Sequence, residues 1–174
     1  AAFDDRASAF RIGSPFATEL ASWPVACVIG DTCFCHAGLT LEQVTRGLDA
    51  SNAAASEWLL GTAGQPALPP ALLWPTSPGA RSPLWMRELS SPPLAEPSPE
   101  ACSELKRALD VLGAKRLVVG HTVQPYINAA CDGCVHRIDV GLSAAMGGGA
   151  PQALEICRDG RVRTLSLAEA QAGV

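Results

Sequence analysis

Two of the three histidines in this 174-residue chain occupy the same kind of place. His36 closes the run Phe34-Cys35-His36-Ala37-Gly38, and His121 closes Val118-Val119-Gly120-His121-Thr122. Each follows an apolar, strand-prone run and is flanked by glycine or alanine. A ring can therefore project from a sheet edge where a ligand approaches the backbone closely. A neutral imidazole in such a place binds a metal or moves a proton near neutral pH; it can equally be a core residue bonded to a carbonyl. Arg87, in Ser82-Pro83-Leu84-Trp85-Met86-Arg87, carries a permanent charge on a fork that matches phosphate or carboxylate, or packs on Trp85 as a surface residue. Asp139 can orient an imidazole from behind, as a carboxylate bonded to a metal-ligating ring, or cap a turn.

The seven cysteines are odd in number and lack the spacing of a small disulfide framework. Cys27, Cys33 and Cys35 lie in apolar runs, where a free thiol behaves as a small hydrophobe, so a reducing intracellular compartment is expected. One arrangement could hold zinc: Cys131-x-x-Cys134 with His136, joined by Cys33-x-Cys35-His36 from upstream. Against it, Asp132-Gly133 is a hairpin turn signal that would place the two cysteines together for structural reasons alone.

The elements that must position these residues can be read in outline. Val25–Ile29 and Thr32–Cys35 form a hairpin across Gly30-Asp31. Short helices are expected near Leu41–Leu48 and Ser56–Leu60. Ten of the 14 prolines fall between Pro66 and Pro99, which excludes regular helix or central strand there; the segment reads as a long excursion with Trp85 and Arg87 docked. Beyond it, Ser98 as N-cap, Pro99 at the first helical position and Leu105, Ala108, Leu109 and Leu112 at helical spacing predict a helix ending at Gly113. Lys115–Val119 reads as a buried strand. Asp132-Gly133 and Asp159-Gly160 mark further hairpins, the second joining Leu154–Cys157 to Arg161–Leu165. The expected fold is α/β (α+β), mostly sheet with one strong helix. Its parts are 1–61, the Pro/Ser-rich excursion 62–98, and 99–174.

Composition narrows the function. Thirteen basic and 17 acidic residues leave a net charge of −4 without any Lys/Arg run, which argues against nucleic acid or an anionic membrane as partner. No apolar stretch approaches the roughly 20 residues of a membrane span. Charged residues make up 17% and apolar ones 48%, a globular balance with few solvated faces. G-x-G-x-x-G, P-loop, G-x-S-x-G and H-E-x-x-H are all missing, so nucleotide-cofactor, serine-hydrolase and zincin chemistry lack their signals. The chain opens at Ala1 with neither Met nor a basic leader, so no targeting signal is visible.

Taken in order, the pieces resemble the C-terminal half of a calcineurin-like metallophosphoesterase, within the Shewanella-like branch of the phosphoprotein phosphatases. The matching segments are Asp5-Arg6-Ala7 with Ala9-Phe10 and Gly13, then Ile29 through Leu39, Ser82 through Arg87, and Val118 through Gln124. Arg137 through Ser143 and Gly147-Gly148 to Leu154-Glu155-Ile156 complete the series. The resemblance implies a β-sandwich phosphoesterase fold, with His36 and His121 as ligands of one metal in a two-metal centre of Mn, Fe or Zn type. Arg87 would be the catalytic phosphate clamp, and the substrate a phosphate ester, possibly a phosphoprotein carrying phosphoserine, phosphothreonine or phosphotyrosine. The implied mechanism is in-line attack on phosphorus by a metal-bridging hydroxide.

The departures are equally specific. G-D-x-H-G, G-D-x-x-D-R-G and G-N-H-E, which carry the family's other metal ligands, do not occur in the chain; Gly30-Asp31-Thr32-Cys33 lacks the histidine. Ala37 replaces a usual glycine, and Met146 stands where an aromatic is common. The ligand set is therefore incomplete, and the chain is expected to be truncated, with little activity alone. The alternative is a non-catalytic phosphate-binding module derived from a phosphatase.

Overall fold

The computed structural model describes residues 2–62 and 81–167. Residues 63–80, the first part of the Pro-rich excursion, lie outside the described residues. Among the described residues the α-helices and strands follow in order: α1 (Ala2–Ala9), α2 (Pro15–Ala21), β1 (Ala26–Ile29), β2 (Thr32–Cys35), α3 (Leu41–Arg46), α4 (Leu48–Leu60), α5 (Pro99–Leu112), β3 (Arg116–Val119), β4 (Asn128–Ala130), β5 (Val135–Arg137), β6 (Gln152–Ile156) and β7 (Val162–Ser166), with a short 3-10 helix at Ala144–Met146.

The hydrogen-bonding residues at the helix ends account for their limits. Ser98 Oγ accepts the Ala101 N–H at 3.2 Å, Pro99 needs no amide partner in the first turn, and Gly113 takes the left-handed conformation that stops α5. Thr40 and Gln43 form a reciprocal capping box at the start of α3. Two expectations fail here. The short helix placed at Ser56–Leu60 is the end of α4, which begins at Leu48, and α1 and α2 were not foreseen although Ser14-Pro15 carries a start signal. Helical residues outnumber strand residues among the described residues, against the sheet-rich expectation. Alanine-rich stretches such as Ala53-Ala54-Ala55 favour helix strongly but carry no apolar phase to reveal it.

Five strands form one mixed sheet in the order β1-β2-β3-β5-β4, with β2, β3 and β5 parallel and the two edges antiparallel; β6 and β7 pair separately. Strand alternation gives the sheet two faces. Cys33, Leu117, Val119 and Val135 are buried against Leu105, Ala108 and Leu109 of the amphipathic α5. On the other side Cys27, Phe34, Val118 and Ile138 border an apolar groove of about 870 Å³ that is flanked by Trp58 of α4 and by Trp23, just after α2. The β6–β7 hairpin is fastened by two polar contacts, Gln152 Oε1 accepting the Ile127 N–H at 2.9 Å and Arg116 Nη2 donating to the Gly160 carbonyl at 3.2 Å. Arg116 is buried and also donates from Nη1 to Asp31 and Thr32, tying the first hairpin turn to β3.

The cysteine expectation is corrected. Cys102 in α5 forms a disulfide with Cys131 in the β4–β5 connection. Cys131 is therefore not available beside Cys134, and Cys33 and Cys35 belong to β2, where burial pushes the Cys33 thiol up to about 12. The zinc reading on Cys131, Cys134 and His136 does not survive this arrangement. Cys27, Cys33 and Cys35, on which the expected reducing compartment rested, are free thiols. The hairpin itself is present, with a four-residue connection in which Cys131, Asp132 and Gly133 all have positive φ. Among the described residues no helix is long and apolar enough to cross a membrane.

Candidate metal and phosphate site

Parallel pairing decides where the two histidines go. Cys33 lies beside Leu117 and Phe34 beside Val118, so β2 and β3 end at the same edge, and β5 ends there too. His36 follows the last residue of β2; His121 comes two residues after β3; Asp139 comes two after β5. Carboxyl ends of parallel strands are the usual place for a ligand, because the chain leaves the sheet there and side chains can converge. The junction is stitched by the Gly120 N–H donating to the His36 carbonyl at 2.8 Å and the Ile138 N–H to the Val119 carbonyl at 2.9 Å.

His36 Nε2 lies 3.0 Å from His121 Nδ1, with the rings in an edge arrangement at 4.8 Å. His36 is exposed, whereas His121 is half-buried. The Nε2 of His121 is buried without a hydrogen-bond partner among the described residues. Two ring nitrogens facing each other need a proton or a cation between them. Metal–nitrogen bonds of about 2.1 Å at right angles span ~3.0 Å, so the pair fits two adjacent positions on one ion of the Mn, Fe or Zn class. Burial, then the Arg87 charge and His36, hold the His121 pKa below the usual imidazole range, which keeps it neutral and able to ligate.

His121 is held in an uncommon conformation. Its φ is 67°, and the Thr122 N–H donates to the Gly120 carbonyl at 2.8 Å, so His121 is the centre of a γ-turn of the strained hand. The surroundings enforce it. Trp85 meets the imidazole edge-on at 5.6 Å, Arg87 Nη1 donates to the His121 carbonyl at 3.3 Å and to Thr122 Oγ1 at 2.9 Å, and Ser90 Oγ shares a hydrogen bond with Thr122 Oγ1 at 2.7 Å. Gln124, fully buried, donates to the Ser90 and Thr122 carbonyls. Sequence reasoning did not single out Thr122, Ser90 and Gln124 for this task. Thr122 and Gln124 lie in the matched Val118–Gln124 segment, which was their only signal.

Arg87 thus reaches the histidine pair from the excursion, whose residues 81–98 are docked: Ser82, Met86, Leu89 and Ser90 are buried. The guanidinium is exposed and has no carboxylate partner among the described residues, so most of its donors remain free to meet an anion. Asp139 resolves toward the turn. Its Oδ1 accepts the Gly141 N–H at 3.0 Å, and among the described residues neither imidazole bonds to it; it acts on His121 only through its charge.

The amino-acid sequence is 34% identical over 164 residues to Shewanella-like protein phosphatase 2 of Arabidopsis thaliana, a match covering 92% of this chain and 40% of that protein. Over nearly its whole length the chain is thus similar to a member of the Shewanella-like phosphatase branch. It spans well under half of the length of this relative. No protein-family model matches the chain. Among solved structures, the fold is similar to the cold-active protein-tyrosine phosphatase of a psychrophilic Shewanella sp., with a TM-score of 0.57, 22% identity, and coverage of 84% of this chain and 44% of that one. A further structure of a cold-active protein tyrosine phosphatase gives the same TM-score and identity, over 43% of its length. The mixed α/β fold with its mixed sheet is thus a phosphatase fold.

Proposed function

We propose that this chain carries the phosphate-gripping part of a metal-dependent phosphomonoesterase of the calcineurin-like kind, acting on phosphoproteins. The observation that carries the proposal is the 3.0 Å approach of His36 Nε2 to His121 Nδ1, with Arg87 bonded to the same loop through Thr122. His36 and His121 are the residues that would hold one divalent ion. When bound, such an ion polarises a phosphate oxygen and acidifies water. Arg87 takes the remaining phosphate oxygens through its free donors, and its bonds to the His121 carbonyl and Thr122 fix the distance between clamp and imidazoles. Trp85 shields one side of His121 from water. The relative is named a protein phosphatase and the structural neighbours protein tyrosine phosphatases, which supports a phosphorylated protein side chain as substrate.

Among the described residues no third His, Cys, Asp or Glu joins the pair. Catalytic metals take three or more protein ligands, so a two-ion centre needs ligands beyond these residues. That incompleteness supports a second reading, a phosphate-binding module without turnover. Calorimetric titration with Mn(II) or Zn(II), followed by a phosphate-monoester assay and a titration with inorganic phosphate, separates the possibilities. Weak metal uptake with phosphate binding that requires Arg87, and little turnover, is expected. Absence of both metal and phosphate binding overturns both readings.

A further inference from the structure

The disulfide opens a second site that shares no residue with the histidine pair. The Sγ atoms of Cys102 and Cys131 and a carboxylate oxygen of Glu96 all lie within 4.8 Å of one another. Glu96 is held in place by accepting the Cys131 N–H at 2.5 Å, and its Oε1 is 3.8 Å from the Cys102 Sγ. Three independent segments supply these groups: the docked excursion, the first turns of α5 and the β4–β5 connection. A cavity of about 530 Å³ opens onto all three and is bordered by Lys106 and Asp132, which pair with each other at 2.7 Å. Asp132 is thereby occupied, and the cavity gives a reductant, an ion and a water access to the sulfurs.

We propose that, once the disulfide is reduced, Cys102, Cys131 and Glu96 bind a thiophilic divalent cation of the zinc class, so that this corner exchanges a covalent tie for a metal tie. Two thiolates and a carboxylate are a borderline-soft set that favours zinc over magnesium or calcium. Zn–S bonds of about 2.3 Å in a tetrahedron put ligand atoms ~3.8 Å apart, a spacing the cluster reaches by small side-chain rotations. Cys102 sits in the second turn of a 14-residue helix and Lys106 is close by, and both environments favour thiolate. The reductant is a dithiol. Its thiolate attacks one sulfur, the S–S bond breaks and the released cysteine leaves as thiolate. The second thiol then displaces the mixed disulfide, so two electrons pass to Cys102 and Cys131 and the reductant departs as a cyclic disulfide. The ion displaces the protons of the two thiols.

The test compares the oxidised chain with the chain reduced by dithiothreitol and desalted anaerobically, each titrated with Co(II) and then Zn(II). The five cysteines outside the disulfide are thiols in both states, and the histidine pair is the same in both, so the difference between states reports a site that uses Cys102 or Cys131, and Glu96→Gln tells this one from a pairing of Cys131 with Cys134. The reduced chain takes up one more equivalent and shows a thiolate-to-cobalt charge-transfer band that the oxidised chain lacks. Glu96→Gln keeps an acceptor for the Cys131 N–H and leaves the disulfide intact, yet weakens the extra site about tenfold or more. Cys102→Ser and Cys131→Ser abolish it. Equal uptake in both states, or an increment that survives Glu96→Gln at full affinity, overturns the proposal. Circular dichroism establishes that each variant is folded, and should a serine variant unfold, the wild-type and Glu96→Gln comparison decides alone.

Discussion

His36 and His121 are separated by 85 residues, yet their facing ring nitrogens lie 3.0 Å apart. The approach follows from parallel pairing of β2 with β3, which ends both strands at one edge, and from the γ-turn that swings His121 back toward β2. Each histidine therefore depends on the other element for its role.

Metal uptake by the chain depends on both rings. His36→Ala removes an exposed side chain and leaves the fold intact. Changes beside a metal ligand already cost about tenfold in affinity, so losing the ligand costs at least that much. Titration calorimetry with Zn(II) on the oxidised chain checks this; unchanged affinity in both His36→Ala and His121→Ala contradicts it.

Strain at His121 implies a trade between stability and site. Glycine takes a φ of 67° without a Cβ penalty, so His121→Gly raises the unfolding free energy by about 1 kcal/mol while abolishing the metal interaction. His121→Ala keeps the penalty and brings no such gain. Urea unfolding of the two variants, side by side, provides the measurement.

Arg87→Lys separates charge from geometry. Lysine keeps the positive charge but loses the planar fork and the two bonds that Arg87 Nη1 makes to the 121–122 loop. Inorganic phosphate binding falls about tenfold, equivalent to ~1.4 kcal/mol, close to the lower end of what a charged hydrogen bond contributes. Retention of full phosphate affinity in the lysine variant would count against the clamp.

Stability falls as pH drops through the histidine range. Burial, the largest cause in each case, holds both His121 and His136 below the usual imidazole pKa of 6.5. The unfolded chain consequently binds more protons than the folded one between the folded values and 6.5, and the slope of stability with pH is positive there. Stability is full above the unfolded value and declines below it. Denaturation midpoints at pH 7.5 and 5.5 show the loss; His136→Gln, which cannot titrate, reduces it.

The uncovered sheet face predicts self-association. Trp23 is 61% exposed on a groove that Phe34, Trp58, Val118 and Ile138 also line with apolar surface. Sedimentation should show mass rising with concentration, and Trp23→Ser should diminish the effect. A monomer at every concentration would mean the face is better covered than its exposure indicates.

Sequence alone singled out the candidate residues and determined much of the local structure. His36, His121 and Arg87 were recognisable because strand-end histidines beside small residues and a Trp-x-Arg segment are local patterns. The α5 helix with its Ser98 cap and the hairpins at Gly30-Asp31, Asp132-Gly133 and Asp159-Gly160 were legible for the same reason, since caps and turns act over three or four residues. Tertiary structure alone decided the rest. The order β2-β3-β5 is a long-range pairing that no window of sequence encodes, and it converts two similar motifs into one site. It also set Asp139 to capping a turn and pointed Gln124 into a buried polar network. The Cys102–Cys131 disulfide was invisible for the same physical reason: the two residues are 29 apart, and only packing of α5 against the β4–β5 connection brings their sulfurs within bonding distance.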